Sequence, residues 1–233
     1  MTRLPWEPPP RAVLVRLERP TGEWVLVRRE EADGAAVYEI VLNGKLLMDT
    51  VERSSEEALA SVALARCGGS KLSVLVGGLG FGFTLAAVLR EPRVARVDVV
   101  ELEPTLASLL ATPALRDELA TADLRDPRVS VHTDDIRAWL ARADGAYEAV
   151  LLDVDNGPES LSAAGNGALY TAAGLGQLRR AVRPGGVVAI WSSEPSPACL
   201  ARMEAVFGNA SEARIPVSRG ERALEYRIFS SVR

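Results

Sequence analysis

The amino-acid sequence predicts an α/β fold, with a mostly parallel sheet of seven strands that follows a small antiparallel β unit. From Lys71 onward, short runs rich in Val, Leu and Ile alternate with helix-forming stretches, as in parallel sheets that are covered on both faces. Before Lys71 the turn signals are those of β-hairpins. This change of pattern predicts an N-terminal hairpin unit, residues 1–52, and an α/β domain, residues 53–233.

Two hairpins are predicted in the first unit. The first turns at Pro20-Thr21-Gly22 and the second at Asn43-Gly44. Asn-Gly suits a type I′ turn because both residues tolerate positive φ. The predicted strands are residues 12–18, 23–29, 37–42 and 45–48.

The α/β domain is predicted to open with a helix from Ser54 to Arg66, capped by Ser54-Ser55 and ended by Gly68-Gly69. A closing hairpin, with strands 213–217 and 223–229, turns around Arg219-Gly220. The parallel strands are predicted at residues 73–77, 96–101, 128–132, 147–152 and 186–191. The helices between them are predicted at 84–90, 104–111, 135–143, 168–182 and 197–207.

Composition and charge argue against several classes of function. The chain is 48% hydrophobic and 25% charged, as in ordinary globular proteins, and its net charge of −4 offers no basic surface for nucleic acid. No apolar run reaches the ~18 residues that a membrane span requires. Cys67 and Cys199 lack metal-ligand spacing, which fits a reduced cytoplasm. The single histidine, His132, argues against a histidine-based metal cluster, so we expect no metal.

A glycine-rich turn follows the first parallel strand. Residues 74–82 read Val-Leu-Val-Gly-Gly-Leu-Gly-Phe-Gly, and a helix-forming stretch follows at once. Gly78, Gly80 and Gly82 let the backbone approach a ligand where a Cβ atom would collide, and Phe81 lies in the same turn. Strand, turn and helix together predict a Rossmann-like nucleoside-cofactor site, and a turn that binds no ligand is the alternative.

Acids end the next two strands. Glu101 can accept hydrogen bonds from the two vicinal hydroxyls of a ribose, and Leu102 beside it is a further cofactor-contact candidate. Glu103 better fits the role of a helix-capping acid. Asp134 can accept from the exocyclic amine of adenine, and Asp135 is expected to cap the next helix at the edge of the same cofactor site. Helix capping alone is the alternative for this aspartate pair.

The densest cluster of acids follows the fourth strand. Asp153, Asp155 and Glu159 fall within seven residues. Carboxylates here would attract a cationic sulfonium or an amine. They could also accept the proton that an amine with a pKa of about 10 must lose before it attacks. We predict catalytic roles for Asp153 and Asp155, with a solvated turn at Asn156-Gly157-Pro158 as the alternative.

Three further polar side chains lie near this edge of the predicted sheet. Tyr170 begins a predicted helix and is a third catalytic candidate, although a tyrosine packed at the edge of the core fits the pattern equally well. Glu194, after the fifth strand, is a weaker candidate for a substrate contact. His132, inside the third strand, is expected to be structural.

These motifs resemble those of the polyamine aminopropyltransferases, the spermidine synthase family, which is related to class I S-adenosylmethionine (AdoMet)-dependent methyltransferases. The resemblance covers nearly the whole chain. Residues 74–85 resemble the family's glycine motif, and Val100-Glu101-Leu102-Glu103-Pro104 its ribose-binding motif. Thr133-Asp134-Asp135 stands where an adenine-binding step is expected. Leu152-Asp153 and Gly157-Pro158-Glu159-Ser160-Leu161 resemble the family's acidic segment and the residues after it.

The resemblance implies a class I methyltransferase-type sheet, a co-substrate that is AdoMet or decarboxylated AdoMet, and an amine acceptor. It implies that Glu101 binds ribose, that Asp134 binds adenine, and that Asp153 assists deprotonation of the attacking amine. The oligomeric state is open on the sequence alone, although an exposed N-terminal β unit could pair two copies of the chain as a homodimer through its edge or face.

Three positions depart from the family pattern. Phe81 replaces an aspartate of the glycine motif, Asn156 replaces the second aspartate of the acidic segment unless Asp155 substitutes for it, and Ser55-Glu56 replaces a Tyr-His pair. Aminopropyl transfer from decarboxylated AdoMet is the leading hypothesis because of the overall resemblance. AdoMet-dependent methyl transfer to a small molecule is the second, because of Phe81 and Asn156. A non-catalytic nucleoside-binding protein is a third. A nicotinamide dehydrogenase fits less well because no Tyr-x-x-x-Lys motif is visible.

Overall fold

The chain divides into two compact units, Met1–Glu52 and Arg53–Arg233, in a computed structural model. The structure describes residues 11–19, 22–31, 34–119, 121–162, 164–219 and 222–233. Two of the predicted turns include Pro20, Thr21 and Gly220, which lie outside the described residues.

The first unit is an antiparallel sheet in which each strand pairs with the next along the chain. Asn43 and Gly44 join the third and fourth strands with φ values of 53° and 75°, so the predicted turn with positive φ at both residues is confirmed. The strands are β1 Arg11–Arg19, β2 Gly22–Glu30, β3 Ala36–Leu42 and β4 Lys45–Asp49.

The second unit alternates helices and strands as the sequence predicts. Its strands are β5 Leu72–Gly77, β6 Val94–Glu101, β7 Val129–Thr133, β8 Tyr147–Leu152, β9 Val182–Ser192, β10 Ser211–Arg219 and β11 Arg222–Val232. Its α-helices are α1 Ser54–Ala65, α2 Phe83–Arg90, α3 Pro104–Leu110, α4 Pro113–Leu119, α5 Ile136–Arg142, α6 Ala172–Ala181 and α7 Pro197–Phe207. None of the helices in the described ranges is long and apolar enough to cross a membrane.

The described strands of this unit form one seven-stranded sheet, in the order β10-β11-β9-β8-β5-β6-β7. Strands β5 to β9 are parallel, and β11 runs antiparallel to both of its neighbours. The chain leaves β5 towards β6 and returns on the other side of β5 as β8. The connections therefore diverge between β5 and β8, which is where ligands bind in open α/β sheets.

The largest part of the core lies on one face of this sheet. Side chains of β5, β6, β8 and β9 pack there against α5, α6 and α7. Val150, Leu152, Val188 and Ile190 supply the central strands' part of this layer, and all four are at most 1% exposed. Continuous apolar strands of this kind are expected where both faces of a sheet are covered.

Three local predictions need correction. Arg53, not Ser54 or Ser55, occupies the N-cap position of α1, because both serines already have helical geometry. The helix predicted over 168–182 is a 3₁₀-helix, Ala164–Tyr170, followed by α6, with Thr171 capping α6 through the Gly174 N–H. Short α4 was not predicted.

Candidate active site

The glycine turn at the tip of β5 depends on residues without a Cβ atom. Gly78, Gly80 and Gly82 have φ values of 87°, 50° and 80°, a region that favours glycine. A Cβ atom on Gly78 would lie 2.2 Å from the carbonyl oxygen of Asp153, and one on Gly82 would lie 2.8 Å from Oγ1 of Thr121. The turn and the end of β8 are therefore in direct backbone contact.

Glu101 joins the tip of β6 to the glycine turn. Its Oε2 accepts a hydrogen bond from the Leu79 N–H at 2.7 Å, and its Oε1 accepts one from the Glu103 N–H at 2.7 Å. Burial raises the pKa of this carboxyl, and the backbone hydrogen bonds act in the opposite direction. A carboxylate has about four acceptor positions, so the group can still accept from a ligand hydroxyl beside these backbone contacts.

Asp134 and Asp135 lie at the tip of β7, and each pairs with an arginine of α5. Asp134 forms an ion pair with Arg142, which lowers the pKa of Asp134. Asp135 caps α5 by accepting from the Arg137 N–H at 2.8 Å, and the hydrogen bond with the Arg137 side chain lowers its pKa. The capping role predicted for Asp135 is therefore confirmed, and both acids are ionised at neutral pH.

The crevice is the point at the tips of β5 and β8 where the connections diverge, and Asp153 directly follows β8 there. Its backbone N–H donates to the Gly77 carbonyl at 2.8 Å, and its Oδ2 accepts from Thr84 Oγ1 at 2.7 Å. The residue is partly exposed, but its carboxyl group is surrounded by protein atoms. Burial raises the pKa of Asp153 to about 6, against the lowering effect of the Thr84 hydrogen bond. The carboxylate is thus a proton acceptor near neutral pH.

Asp155 is buried and holds the loop that follows it. Its Oδ1 accepts from the Ser162 N–H at 2.6 Å and from Asn166 Nδ2 at 2.9 Å, and its Oδ2 accepts from the Tyr170 hydroxyl at 2.8 Å. Tyr170 is 3% exposed, and burial raises its pKa well above the ordinary value. The structure brings Asp155 and Tyr170 into contact, and the hydrogen bonds they form hold the loop between them in place.

The other candidates differ in exposure. Leu102 is 47% exposed beside Glu101, whereas Phe81 is 2% exposed and packs near Phe83. Glu194 is exposed beyond the end of β9. His132 lies 3.0 Å from the Asp98 carboxylate and its ring contacts Trp139, as expected for a structural histidine.

Sequence reasoning missed two polar residues near these acids. Thr84, in the first turn of α2, positions the Asp153 carboxylate, and Asn166 contacts Asp155. The position of Thr84, two residues after the last glycine of the turn, was a usable signal because that helical turn faces the strand tips. Asn166 gave no comparable signal, since its contact depends on how a long loop folds back.

The residues of this site fall within a match to a known family. Residues 52–202 match the family model of the spermine/spermidine synthase domain. The chain is 34% identical over 172 residues to polyamine aminopropyltransferase 1 of Streptomyces coelicolor, an alignment that covers 73% of this chain and 31% of that protein. The chain therefore spans about a third of this curated relative.

Solved structures of spermidine synthases share the fold. One, in complex with the transition state analogue AdoDATO, has a TM-score of 0.78 at 18% identity and covers 94% of this chain and 73% of its own. Another, from Thermotoga maritima, has a TM-score of 0.74 at 16% identity, with coverage of 94% and 72%.

Replacing Gly78 with alanine should destabilise the α/β domain more than replacing Gly69. Both glycines have φ near +88° (87° and 89°), but a Cβ atom on Gly69 would meet nothing within 4 Å. Gly69→Ala should cost only the ~1–2 kcal/mol of left-handed backbone strain. Gly78→Ala should cost ~2 kcal/mol or more beyond that, because the clash is with backbone. Urea unfolding measures the loss of unfolding free energy in both variants. Equal losses would contradict the close contact between Gly78 and the Asp153 carbonyl.

Asp153 should make stability depend on pH. The folded-state pKa of about 6 lies above the ordinary value, so the folded protein retains a proton that the unfolded chain releases. The difference in unfolding free energy between wild type and Asp153→Asn should therefore favour wild type most below pH ~4. This difference should fall as the pH rises to ~6 and stay constant above that pH.

The control for this pH dependence has the opposite sign. Asp134, whose pKa is lowered by Arg142, should contribute stability that is lost as the pH falls. Urea unfolding of wild type, Asp153→Asn and Asp134→Asn across pH 3–8 tests both trends. The same slope in both comparisons would contradict the assignment.

Proposed function

The chain belongs to the spermine/spermidine synthase family, and from this premise we propose that it is an aminopropyltransferase. It transfers the aminopropyl group of decarboxylated AdoMet to an amine acceptor. The observation that carries the proposal is the carboxylate of Asp153, held in the crevice between β5 and β8 with its pKa raised to about 6. Such a group is ionised at neutral pH and still basic enough to accept a proton.

The nucleoside part of the co-substrate is proposed to lie across the tips of β5, β6 and β7. Glu101 accepts from the ribose hydroxyls, Asp134 accepts from the adenine amine, and exposed Leu102 covers one side of the base. Support comes from the positive φ values of the glycine turn, which favour glycine and so leave this edge of the sheet without Cβ atoms at three positions. Phe81 contributes through its backbone, since its ring is buried.

The transfer step is a substitution at carbon. The neutral amine nitrogen forms a bond to the propyl carbon next to the sulfonium, the carbon–sulfur bond breaks, and sulfur takes the electron pair as a neutral thioether. The proton from the amine passes to the Asp153 carboxylate. The protein contributes by holding nucleophile and electrophile in line and by placing negative charge near the cationic centre.

Asp155 and Tyr170 are proposed to support this reaction by holding the loop that carries Asp153, without taking part in the proton transfer. Asp155 accepts three hydrogen bonds from its own loop, from Ser162, Asn166 and Tyr170. A carboxylate engaged in this way is a poor proton acceptor for a substrate. The pair therefore fixes the loop that begins at Asp153, which keeps the base in place.

The main competing outcomes are methyl transfer from AdoMet and cofactor binding without chemistry. The buried Phe81 supplies no charge for an aminopropyl ammonium, so the choice of co-substrate needs a direct measurement. A homodimer through the N-terminal β unit, a cytoplasmic location and the lack of a nucleic-acid partner stay predictions.

Isothermal calorimetry and turnover together test the reaction. Decarboxylated AdoMet should bind more tightly than AdoMet, and mass spectrometry should detect an aminopropylated amine. Asp153→Asn should lower the turnover by ~10²-fold or more, because general-base catalysis contributes about that much. The affinity for the co-substrate should change little.

Asp144→Asn is the control, since this exposed carboxylate lies just before β8, at the opposite end of that strand from Asp153. It should leave turnover nearly unchanged. Tighter binding of AdoMet with methylated products would replace aminopropyl by methyl transfer. Tight binding without any product would leave only a nucleoside-binding protein.

Thr84→Val should move the acidic limb of the pH–rate profile. The Thr84 hydroxyl donates to Asp153 and holds its pKa down against burial. Without that hydrogen bond, the pKa should rise by about one unit, which corresponds to ~1.4 kcal/mol. The limb of kcat/KM near pH 6 should then shift upward, whereas Thr84→Ser, which keeps a hydroxyl, should stay close to wild type. If the acidic limb of kcat/KM does not shift in Thr84→Val, then Asp153 is not the group whose titration sets that limb.

A further inference from the structure

The indole N–H of Trp191 is buried without an acceptor among the described residues. Trp191 is 9% exposed and is the last residue but one of β9. Buried N–H groups of native proteins nearly always have a hydrogen-bond acceptor, so this donor calls for a partner. Its position at the ligand-binding edge of the sheet makes a bound molecule the natural source of that partner.

Trp191 projects from the same face of the sheet as the proposed base. In the parallel ladder between β8 and β9, Leu151 pairs with Ala189 and Leu152 pairs with Ile190. Because side chains alternate along strands, Asp153 and Trp191 follow as neighbours on the face opposite to Leu152 and Ile190. The Asp153 carboxylate reaches Thr84 of α2, which identifies this as the face covered by α2.

The loop after Asp153 is fastened to the end of β9. The Asn156 carbonyl accepts from the Ser193 N–H at 3.0 Å and from Ser193 Oγ at 2.6 Å. A Cβ atom on Gly157 would lie 2.1 Å from Oγ of Ser192. The acidic loop is therefore joined by hydrogen bonds and close packing to the two residues that follow Trp191.

The indole itself is held by an aromatic neighbour. Its ring meets Tyr226 of β11 in an edge-to-face arrangement, with 5.1 Å between ring centroids. Such a contact restricts the ring without using the N–H group. The donor is thus positioned in advance and does not need to be ordered by the ligand.

Acids lie at the tip of β8 and in the helix that meets it. Asp153 accepts from the Thr84 hydroxyl, which also contacts the backbone carbonyl of buried Glu56, in the first turn of α1, at 3.4 Å. These acids suit a cationic amine and disfavour a carboxylate on the ligand. The indole N–H, by contrast, needs an acceptor, which an ammonium group cannot provide. The amine end of the acceptor molecule therefore suits the acids, and its other end must offer a hydrogen-bond acceptor to the indole N–H.

We propose that Trp191 determines acceptor specificity in the proposed transfer, on which this inference rests. Its Nε1 donates a hydrogen bond to a neutral oxygen of the acceptor, while Asp153 receives the proton of the amine. The preferred acceptor is then an amine that carries a hydroxyl, ether or amide oxygen, and not a plain diamine. A site built to bond such an oxygen discriminates strongly against analogues that lack it.

Three amines of equal chain length test this assignment: 4-aminobutan-1-ol, butylamine and butane-1,4-diamine. Calorimetry on the full chain, saturated with a thioether-linked adenosine, should show the amino alcohol binding at least ~10-fold more tightly than butylamine. Trp191→Phe keeps an aromatic ring but removes the N–H. It should reduce that preference to ~2-fold or less while leaving butylamine affinity and thioether-nucleoside affinity nearly unchanged.

Trp139→Phe is the matched control. Its indole already donates to the Tyr147 hydroxyl at 2.9 Å, so the amine preference should be retained. A wild-type protein without oxygen preference, or a preference that survives Trp191→Phe, would overturn the role of Trp191. The role would also be overturned if none of the amines bound. Tightest binding of the diamine would overturn it as well, and would indicate an ammonium group lying over the face of the indole ring.

Transfer measured with decarboxylated AdoMet separates the two proposals. Oxygen-dependent binding without any transfer would refute the aminopropyltransferase function and retain Trp191 as a ligand contact. Transfer to all three amines at similar kcat/KM would keep the function and refute the specificity role. The side-chain ¹⁵N–¹H resonance of Trp191, assigned by its loss in Trp191→Phe, should shift on addition of the amino alcohol and much less with butylamine.

Discussion

The backbone of Asp153 passes over Gly78 at a distance that no side chain at position 78 would permit. Gly77 accepts the Asp153 N–H, and Gly78 donates its own N–H to the Val100 carbonyl of β6. Three strand tips are thereby joined through main-chain atoms alone. Because main-chain atoms have fewer degrees of freedom than side-chain atoms, the proposed base, the glycine turn and the proposed ribose-binding tip are held in one fixed arrangement.

Burial then divides the acids of this edge into two kinds. Glu101 and Asp153, which are enclosed near the crevice, have raised pKa values, whereas Asp134 and Asp135, paired with arginines at the rim, have lowered ones. Groups whose pKa values are pushed apart by their surroundings are suited to different tasks. The enclosed Asp153 can exchange a proton near neutral pH, and the rim acids keep a permanent charge.

The loop from Asp153 to Tyr170 places the proposed acceptor side of the site next to the proposed base, Asp153. Asp155 holds it from within, and the end of β9 holds it from the side. A loop tied at several points costs little further ordering when a substrate binds. The end of β9 also carries Trp191, so the proposed selectivity for the acceptor and the placement of the proposed base depend on one structural unit.

The succession of strands, the glycine turn and the acids at the strand tips could be predicted from the sequence, because each depends on local periodicity or on a short motif, whereas short α4 was missed. Glu103 and Asp135 as helix caps followed from the same local rules. Only the tertiary structure decided that Thr84 contacts Asp153 and that Asp155 accepts hydrogen bonds from its own loop. It also decided that the Trp191 N–H finds no acceptor within the described part of the chain. These facts join residues that are distant along the chain, and only the packing of the strand tips sets such distances.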